Sequence, residues 1–398
     1  MRFVWLCLCL LFPCLVWAQT GSITGKVQRM DTKVPLSKAS VFLSNATYGT
    51  ATNDDGTFTL TNIKPGQYEL VVTMVGFEDF TQTVMVGKEP IKIFAELLPK
   101  VTELQTVTIT SDVNWKANYQ LFLKDFLGTS ANAKKCKILN PHVIHFIHNK
   151  SRKLLQAYSD EFINVENRAL GYNFKILLKS FKTDGINHLI SWEGKVLFEE
   201  IKASDQQKEQ WHERRRECYY GSSVHFFRSL LHNQLDQDGF VMMRLLRKPN
   251  LQRPSEELIQ KKLDKFNQPF LTVATRDSLI YWRNEANLPK YNEDLIRTPI
   301  PPSAILRNTD QPNIYAITFP DYLYVIYTKR KETEDFRDVY RPLDMENYET
   351  SVVTLYKHYT MFDPNGVVVL PQTTLFEGAW SKAKIAELLP LDYSPDER

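Results

Sequence analysis

Between Cys218 and Arg228 the chain places a thiol, two phenols, hydroxyls, an imidazole and a guanidinium within one short run. Covalent catalysis needs a nucleophile beside a base that is itself oriented. A hydrolase centred on Tyr220, Ser222, His225 and Arg228 is therefore one reading, with Cys218 as a rival nucleophile. It requires a concave pocket in which His225 meets a carboxylate or the Cys218 thiol. The plainer reading makes Gly221-Ser222-Ser223 the start of a helix, with a serine as its cap. The same free amides would also suit an anion.

Other constellations are weaker. A zinc carboxypeptidase needs His-x-x-Glu and a distant His, and none of the eight histidines has Glu three positions later. His212-Glu213 lacks the second His of a His-Glu-x-x-His helix. His142, His145 and His148 are the densest histidines, but on a strand a step of three sends side chains to opposite faces. No Gly-x-Ser-x-Gly elbow or Gly-x-x-x-x-Gly-Lys loop occurs. Glu199-Glu200 alternate across a strand, and Arg214–Arg216 are balanced by Glu209, Glu213 and Glu217 on one helix. Asn53-Asp54-Asp55-Gly56 has two acids but Asn62 where an EF-hand loop needs its Glu, so a hairpin turn is expected there. No catalytic, cofactor-binding or metal-ligating residue is assigned.

The elements behind these residues follow from periodicity. Ile23, Gly25 and Val27 alternate with polar neighbours, with Gly25 where another strand approaches closely. Further strands are expected at Ala39–Leu43, Tyr48–Thr52, through Phe58 and Leu60, and at Gln67–Val75, Asp79–Val86 and Ile91–Leu98. Pro65-Gly66 reads as a turn with Gly in the left-handed corner. Short strands at this spacing indicate a β-sandwich. Val107–Thr110 reads as an added edge strand or a tether.

Beyond it, Trp115, Tyr119, Phe122 and Phe126 predict an amphipathic helix ending before Gly128. Strands follow at Val143–Ile147, Lys153–Tyr158, Phe162–Val165 and Leu170–Leu178, then a hairpin about Glu193-Gly194, forming an antiparallel meander. Ser204 caps a charged helix to Cys218 with Trp211 as its apolar contact. Val224, Phe227, Leu230 and Leu231 stripe the next helix, ending near Gly239, and Phe240–Leu246 is a strand. Pro249–Thr309 reads as irregular. Strands are then expected at Ile314–Phe319, Tyr322–Thr328, Val352–Tyr356 and Gly366–Leu370, with a turn at Asp363–Gly366 and a closing helix at Ala383–Leu389.

The ordered set Gly21–Val27, Thr52–Phe58, Ile63–Tyr68 and Val75-Gly76-Phe77 resembles the carboxypeptidase-like regulatory domain. That resemblance implies a seven-stranded sandwich of the transthyretin kind and names no reaction. Phe126-Leu127-Gly128, Leu139-Asn140-Pro141, Leu170-Gly171-Tyr172 and Tyr220-Gly221-Ser222 resemble recurrent pieces of secreted bacterial proteins that follow such a domain. The expected fold class is mainly β with α+β: the N-terminal transthyretin-like sandwich, then a mixed α+β domain.

Arg2, the apolar run Phe3–Leu15 and Val16-Trp17-Ala18 read as a secretory signal, removing Cys7, Cys9 and Cys14 and leaving Cys136 and Cys218 to pair or stay free. The expected divisions are a signal at 1–18, the sandwich at 19–99, an edge strand or linker at 100–114 and an α+β domain of unknown activity at 115–398. A net charge of +3 over 398 residues gives no reason for nucleic acid. The second domain mixes helices with a Pro-rich segment, unlike the repeated lipid-facing strands of an outer-membrane barrel. The resulting expectation is a secreted, envelope-associated, non-catalytic interaction protein, periplasmic or outer-membrane associated, that binds a protein or glycan. A hydrolase in the second domain is the first alternative. A carbohydrate-binding module using Trp192, Trp282 or Trp380 is the second, if one of those rings faces solvent in a groove.

Overall fold

The computed structural model describes residues 20–100, 114–267, 272–333 and 339–396. The signal at 1–18 and the strand expected at Val107–Thr110 lie outside the described residues. Contacts divide the chain into two units. The first holds the described residues up to Leu43 and from Tyr48 to Lys100, and the second holds Ser44–Thr47 and the described residues after 113.

The first unit is a seven-stranded sandwich: β1 (Gly21–Arg29), β2 (Ser40–Leu43), β3 (Gly49–Ala51), β4 (Thr57–Ile63), β5 (Gly66–Thr73), β6 (Phe80–Val86) and β7 (Ile91–Leu97). One sheet runs β4-β1-β7 and the other β3-β2-β5-β6. β1 and β7 pair in parallel, Ile23 opposite Ile91. The alternating residues point inward as the period requires: Ile23, Val27, Leu60, Leu70, Val72 and Ile93 are buried. Gly25 sits where a Cβ would lie 2.2 Å from the Ile93 carbonyl oxygen, which explains its place in a strand. Gly56 has φ +78 in its turn, where the Asp55 carboxylate accepts from the Thr57 amide and hydroxyl at 3.0 and 2.7 Å. The Pro65-Gly66 expectation is corrected: Gly66 already belongs to β5, and Asn62 takes the left-handed backbone with φ 59.

In the second unit, helix α1 (Trp115–Phe126) stacks Phe122 on Phe126 at 4.6 Å and sets Phe122 edge-on against Phe181. These rings cover a sheet of β8 (Cys136–Ile138), β9 (Ile144–Asn149), β10 (Leu154–Ser159), β11 (Ile163–Asn167), β12 (Tyr172–Asp184) and β13 (Leu189–Glu200). Its order is β8-β11-β12-β10-β9 with β13 also paired to β12, so it is not a simple meander. β12 is long enough for β11 to pair with its first half and β10 with its end. The hairpin expected at Glu193-Gly194 is also corrected. β13 runs straight through, and Gly194 marks a register shift where a Cβ would lie 2.6 Å from the Leu177 carbonyl oxygen. Within this unit Ala46 bridges Leu197.

Ser204 caps α2 (Asp205–Tyr219), and Ser222 caps α3 (Ser223–Leu231). A short α4 (Leu235–Asp238) precedes Gly239, so the α3 helix ends earlier than expected. A second sheet runs in the order β15 (Tyr291–Ile296), β14 (Phe240–Pro249), β18 (Tyr322–Lys331), β19 (Tyr348–Leu355) and β21 (Thr374–Gly378). A small sheet joins β16 (Leu306–Asn308), β17 (Tyr315–Ile317) and β20 (Thr360–Phe362). The stretch Pro249–Thr309 is not irregular. It contains α5 (Glu256–Phe266), α6 (Val273–Asn287), β15 and α7 (Pro302–Ile305). Pro254 stands just before the Ser255 cap and Pro289 just after α6. Gly366–Leu370 forms a single bridge, Phe362 to Val368, because Asp363 turns back to take the Val367 amide. Near the C-terminus, α8 (Ala379–Lys382) and a 3-10 turn at Ile385–Glu387 replace the helix expected at Ala383–Leu389.

Candidate functional site

The run from Cys218 to Arg228 folds as a helix-to-helix corner. Gly221 has φ +84, and a Cβ there would press on the Tyr327 ring at 2.7 Å. The Ser222 hydroxyl oxygen accepts from the His225 amide at 3.1 Å, which is the capping role. His225 is 4% exposed, and its Nδ1 accepts from the Gly221 amide at 3.1 Å. Rings of Tyr219, Tyr220 and Phe240 surround it at 5.0 to 5.2 Å. Its Nε2 lies 3.6 Å from the Asp238 carboxylate, outside hydrogen-bond range. Burial drives the imidazole pKa down to about 4, with Asp238 pulling the other way.

Arg228 points elsewhere. Its guanidinium donates to three backbone carbonyls, those of Asn365, Leu391 and Tyr393, at 2.9, 2.9 and 3.3 Å. Cys218 belongs to the core beneath α1, where its sulfur accepts from the Asn132 side chain. Cys136 donates to the carbonyl of the same Asn132, and both thiols are free. Burial, then Glu387, pushes each thiol up to about 12. The hydrolase constellation is thus dispersed: Ser222 and His225 meet as cap and packing, and Cys218 and Arg228 do not join them. A packed core occupies the place where that reading needs a pocket.

The three histidines part company as well. His148 bonds to Asn118 at 2.7 Å, while His145 stacks on Tyr158 and lies 3.6 Å from Asp160. Among the described residues no group of His, Cys, Asp or Glu is arranged to hold a metal. Of the tryptophans, Trp380 is buried and donates to the Gly221 carbonyl at 2.8 Å. Trp192 is half-buried against Phe126. Trp282 is half-buried too, with the Lys262 ammonium 5.6 Å from its ring centre.

The most developed polar constellation lies on the second sheet of this unit. One face of that sheet packs Phe240, Met242, Leu323, Val325 and Val353 beneath α3. The other face buries Leu245, Leu295, Tyr324 and Val352 under Val339 and its neighbours. Beyond that cover the pattern changes. Arg247 of β14 is opposite Glu293 of β15 and donates to it at 2.6 Å, and also to Glu377 of β21 at 2.6 Å. Its side chain is 3% exposed, against 16% and 25% for the two carboxylates. Tyr291 and Tyr322 flank the guanidinium at 5.3 and 5.0 Å. Thr354 donates to Glu377 at 3.4 Å.

Tyr356, just past β19 and 59% exposed, completes the group. Burial first, then Glu377 and Tyr291, raises its phenol above the ordinary value. Burial first, then Tyr291, raises that of Tyr322. Tyr356 thus lies within electrostatic reach of Glu377 and Tyr291. Leu355, Lys357 and His358 line a neighbouring hollow of about 550 Å³. None of this cluster was singled out from sequence.

The first unit, a two-sheet sandwich with parallel first and last strands, has the architecture of a transthyretin-like regulatory module. Residues 23–109 match the CarboxypepD_reg-like domain family, and the chain carries such a domain. No curated protein matches the chain. Among solved structures, it is similar to a group B streptococcus pilus 2b backbone protein at 24% identity, over 20% of this chain and 42% of that one, with a TM-score of 0.18. It thus spans less than half the length of that protein. A putative carbohydrate binding protein from Bacteroides uniformis matches at 8% identity over 38% and 55%, with a TM-score of 0.18. A putative membrane-associated protein of unknown function from Bacteroides fragilis matches at 11% identity over 90% and 93%, with a TM-score of 0.17. At these scores none of the three carries a functional inference. No helix among the described residues is long and apolar enough to cross a membrane.

Proposed function

We propose that this is a non-catalytic binding protein of the cell envelope, exported by its 1–18 segment, which holds a protein or glycan partner at the end of the second unit's five-stranded sheet, beyond the cover of Val339 and its neighbours. The observation that supports this is the Tyr291–Arg247–Tyr322 sandwich with Glu293, Glu377 and Tyr356 around it. Replacing a buried ion group by apolar side chains of similar size is often neutral or stabilising. A sheet end that needed only stability would not require charges braced by phenols, one of them exposed. Aromatic and arginine side chains, by contrast, dominate recognition surfaces. The hydrolase alternative loses its support because Ser222 caps a helix and His225 is sealed among rings.

The test is capture from a detergent extract of the cell envelope by the full chain, beside a Tyr291→Ala/Tyr356→Ala variant. Material held by the wild type and lost from the variant is the expected result. Equal retention by both, or retention by neither, overturns the proposal.

A further inference from the structure

We infer that the ligand of this face is an uncharged oligosaccharide; the inference rests on the binding-protein reading above and gives it a ligand class. The exposed donors and surfaces have a particular chemistry. Tyr291 is 37% and Tyr356 59% exposed, offering rings to the C–H faces of sugar units and hydroxyls at their edges. Glu293 and Glu377 each have one oxygen committed to Arg247, and they remain partly open at 16% and 25% exposure. A carboxylate fixed in this way still has lone pairs, so it accepts from a ligand hydroxyl without first having to be ordered.

The sign of the charge narrows the class. Two carboxylates against one guanidinium leave the group one negative charge in excess, and Arg247 is turned inward at 3% exposure. Uronate, sulfate or phosphate groups would meet net repulsion from the two carboxylates. The side chains that form the patch are phenols, carboxylates, a guanidinium and the Thr354 hydroxyl, without an aliphatic anchor of the kind that fills a protein partner's pocket. Its aromatic members extend from β15 to the end of β19. That is three strand spacings, about 14 Å, which suits a chain of sugars better than a single ring.

The experiment is calorimetric titration of the full chain with linear hexasaccharides of β-1,4-glucan, β-1,3-glucan, α-1,4-glucan, α-mannan and β-1,4-xylan, and with oligogalacturonate as the charged control. At least one neutral member is expected to bind. Tyr356→Ala is expected to weaken it about tenfold, the equivalent of one lost ring contact. Glu377→Gln is expected to weaken it as well, and Tyr356→Ala should leave the thermal midpoint unchanged because the ring is exposed. Absence of heat with every neutral hexasaccharide at millimolar concentration overturns the inference, as does equal binding of oligogalacturonate or indifference to Tyr356→Ala. If sugars fail while the Tyr291→Ala/Tyr356→Ala variant still loses its envelope capture, the glycan assignment falls and the binding face stands. If both are unaffected, both fall.

Discussion

The indole of Trp211 occupies the space that a side chain at Gly171 would need: a Cβ there would lie 2.2 Å from two of the ring carbons. Gly171 also has φ +75, and the Trp211 ring nitrogen donates to the Arg168 carbonyl at 3.0 Å. One glycine therefore admits both a left-handed turn and the anchor of α2. Gly171→Ala should combine left-handed strain with overpacking and destabilise the second unit by about 2–4 kcal/mol. Urea unfolding followed by tryptophan fluorescence reads this directly, and a change below about 0.5 kcal/mol, the ordinary surface range, would refute it.

His225 gives stability an acid limit. Burial, as the first cause, holds its folded pKa at about 4, below the ordinary histidine value of 6.5. The unfolded chain therefore takes up a proton that the folded chain refuses. This contribution is fully present above pH 6.5 and is lost progressively as pH falls toward 4, amounting to about 3 kcal/mol over that window. His225→Asn keeps an acceptor for the Gly221 amide but does not titrate there. Unfolding free energies measured between pH 4.5 and 7 should fall less steeply for the variant than for the wild type; parallel slopes would remove the argument.

The first unit was legible because its code is local. Strands of period two are separated by Asp, Asn, Pro and Gly turns, and β1 to β7 stand within a few residues of expectation. The same local signals misled where a glycine or proline had a tertiary reason. Gly194 accommodates the Leu177 carbonyl across a bulge and turns nothing, and Pro254 precedes a helix cap instead of breaking structure. The Arg247 cluster was illegible for a different reason. Arg247, Glu293 and Glu377 lie far apart in sequence, and only the order β15-β14-β18-β19-β21 brings them together. Their only local trace is a charged residue two positions after the buried Leu245, on the same face of β14. Trp192 and Trp380, conspicuous in sequence, went to packing.

The two thiols should resist both reaction and ionisation. Cys136 and Cys218 are pushed up from the ordinary thiol value of 9.0 to about 12, burial first and Glu387 second. Thiolate is the reactive form, so Ellman's reagent at pH 8 should label the native chain far more slowly than the urea-unfolded chain. The linkage sign is the reverse of that for His225. Below pH 9 the thiols contribute no slope; between about 9 and 12 the unfolded chain loses protons that the folded chain keeps, and stability falls. Each thiol adds about 1.4 kcal/mol per pH unit there. Cys136→Ser/Cys218→Ser should flatten this alkaline limb, and labelling as fast in the native as in the unfolded chain would contradict the burial on which it rests.

Arg247 tests whether the proposed binding face is organised by charge or only by packing. Removing the guanidinium as Arg247→Met leaves Glu293 and Glu377, each 2.6 Å from it in the native chain, without their cation. Truncating one partner of a buried ion group costs about 3–5 kcal/mol because the remaining charge is uncompensated. Adding Glu293→Gln and Glu377→Gln removes that charge while keeping shape. The triple variant should therefore recover most of the stability lost by Arg247→Met alone, as read by denaturant midpoint. It should not recover the ligand, since the fixed carboxylates are gone and the Tyr291 and Tyr322 rings no longer flank a cation. Stability restored without binding places the ion group in recognition. If the triple variant stays as unstable as the single one, Arg247 acts mainly through the packing of its stem, and the charge-based account of this face fails.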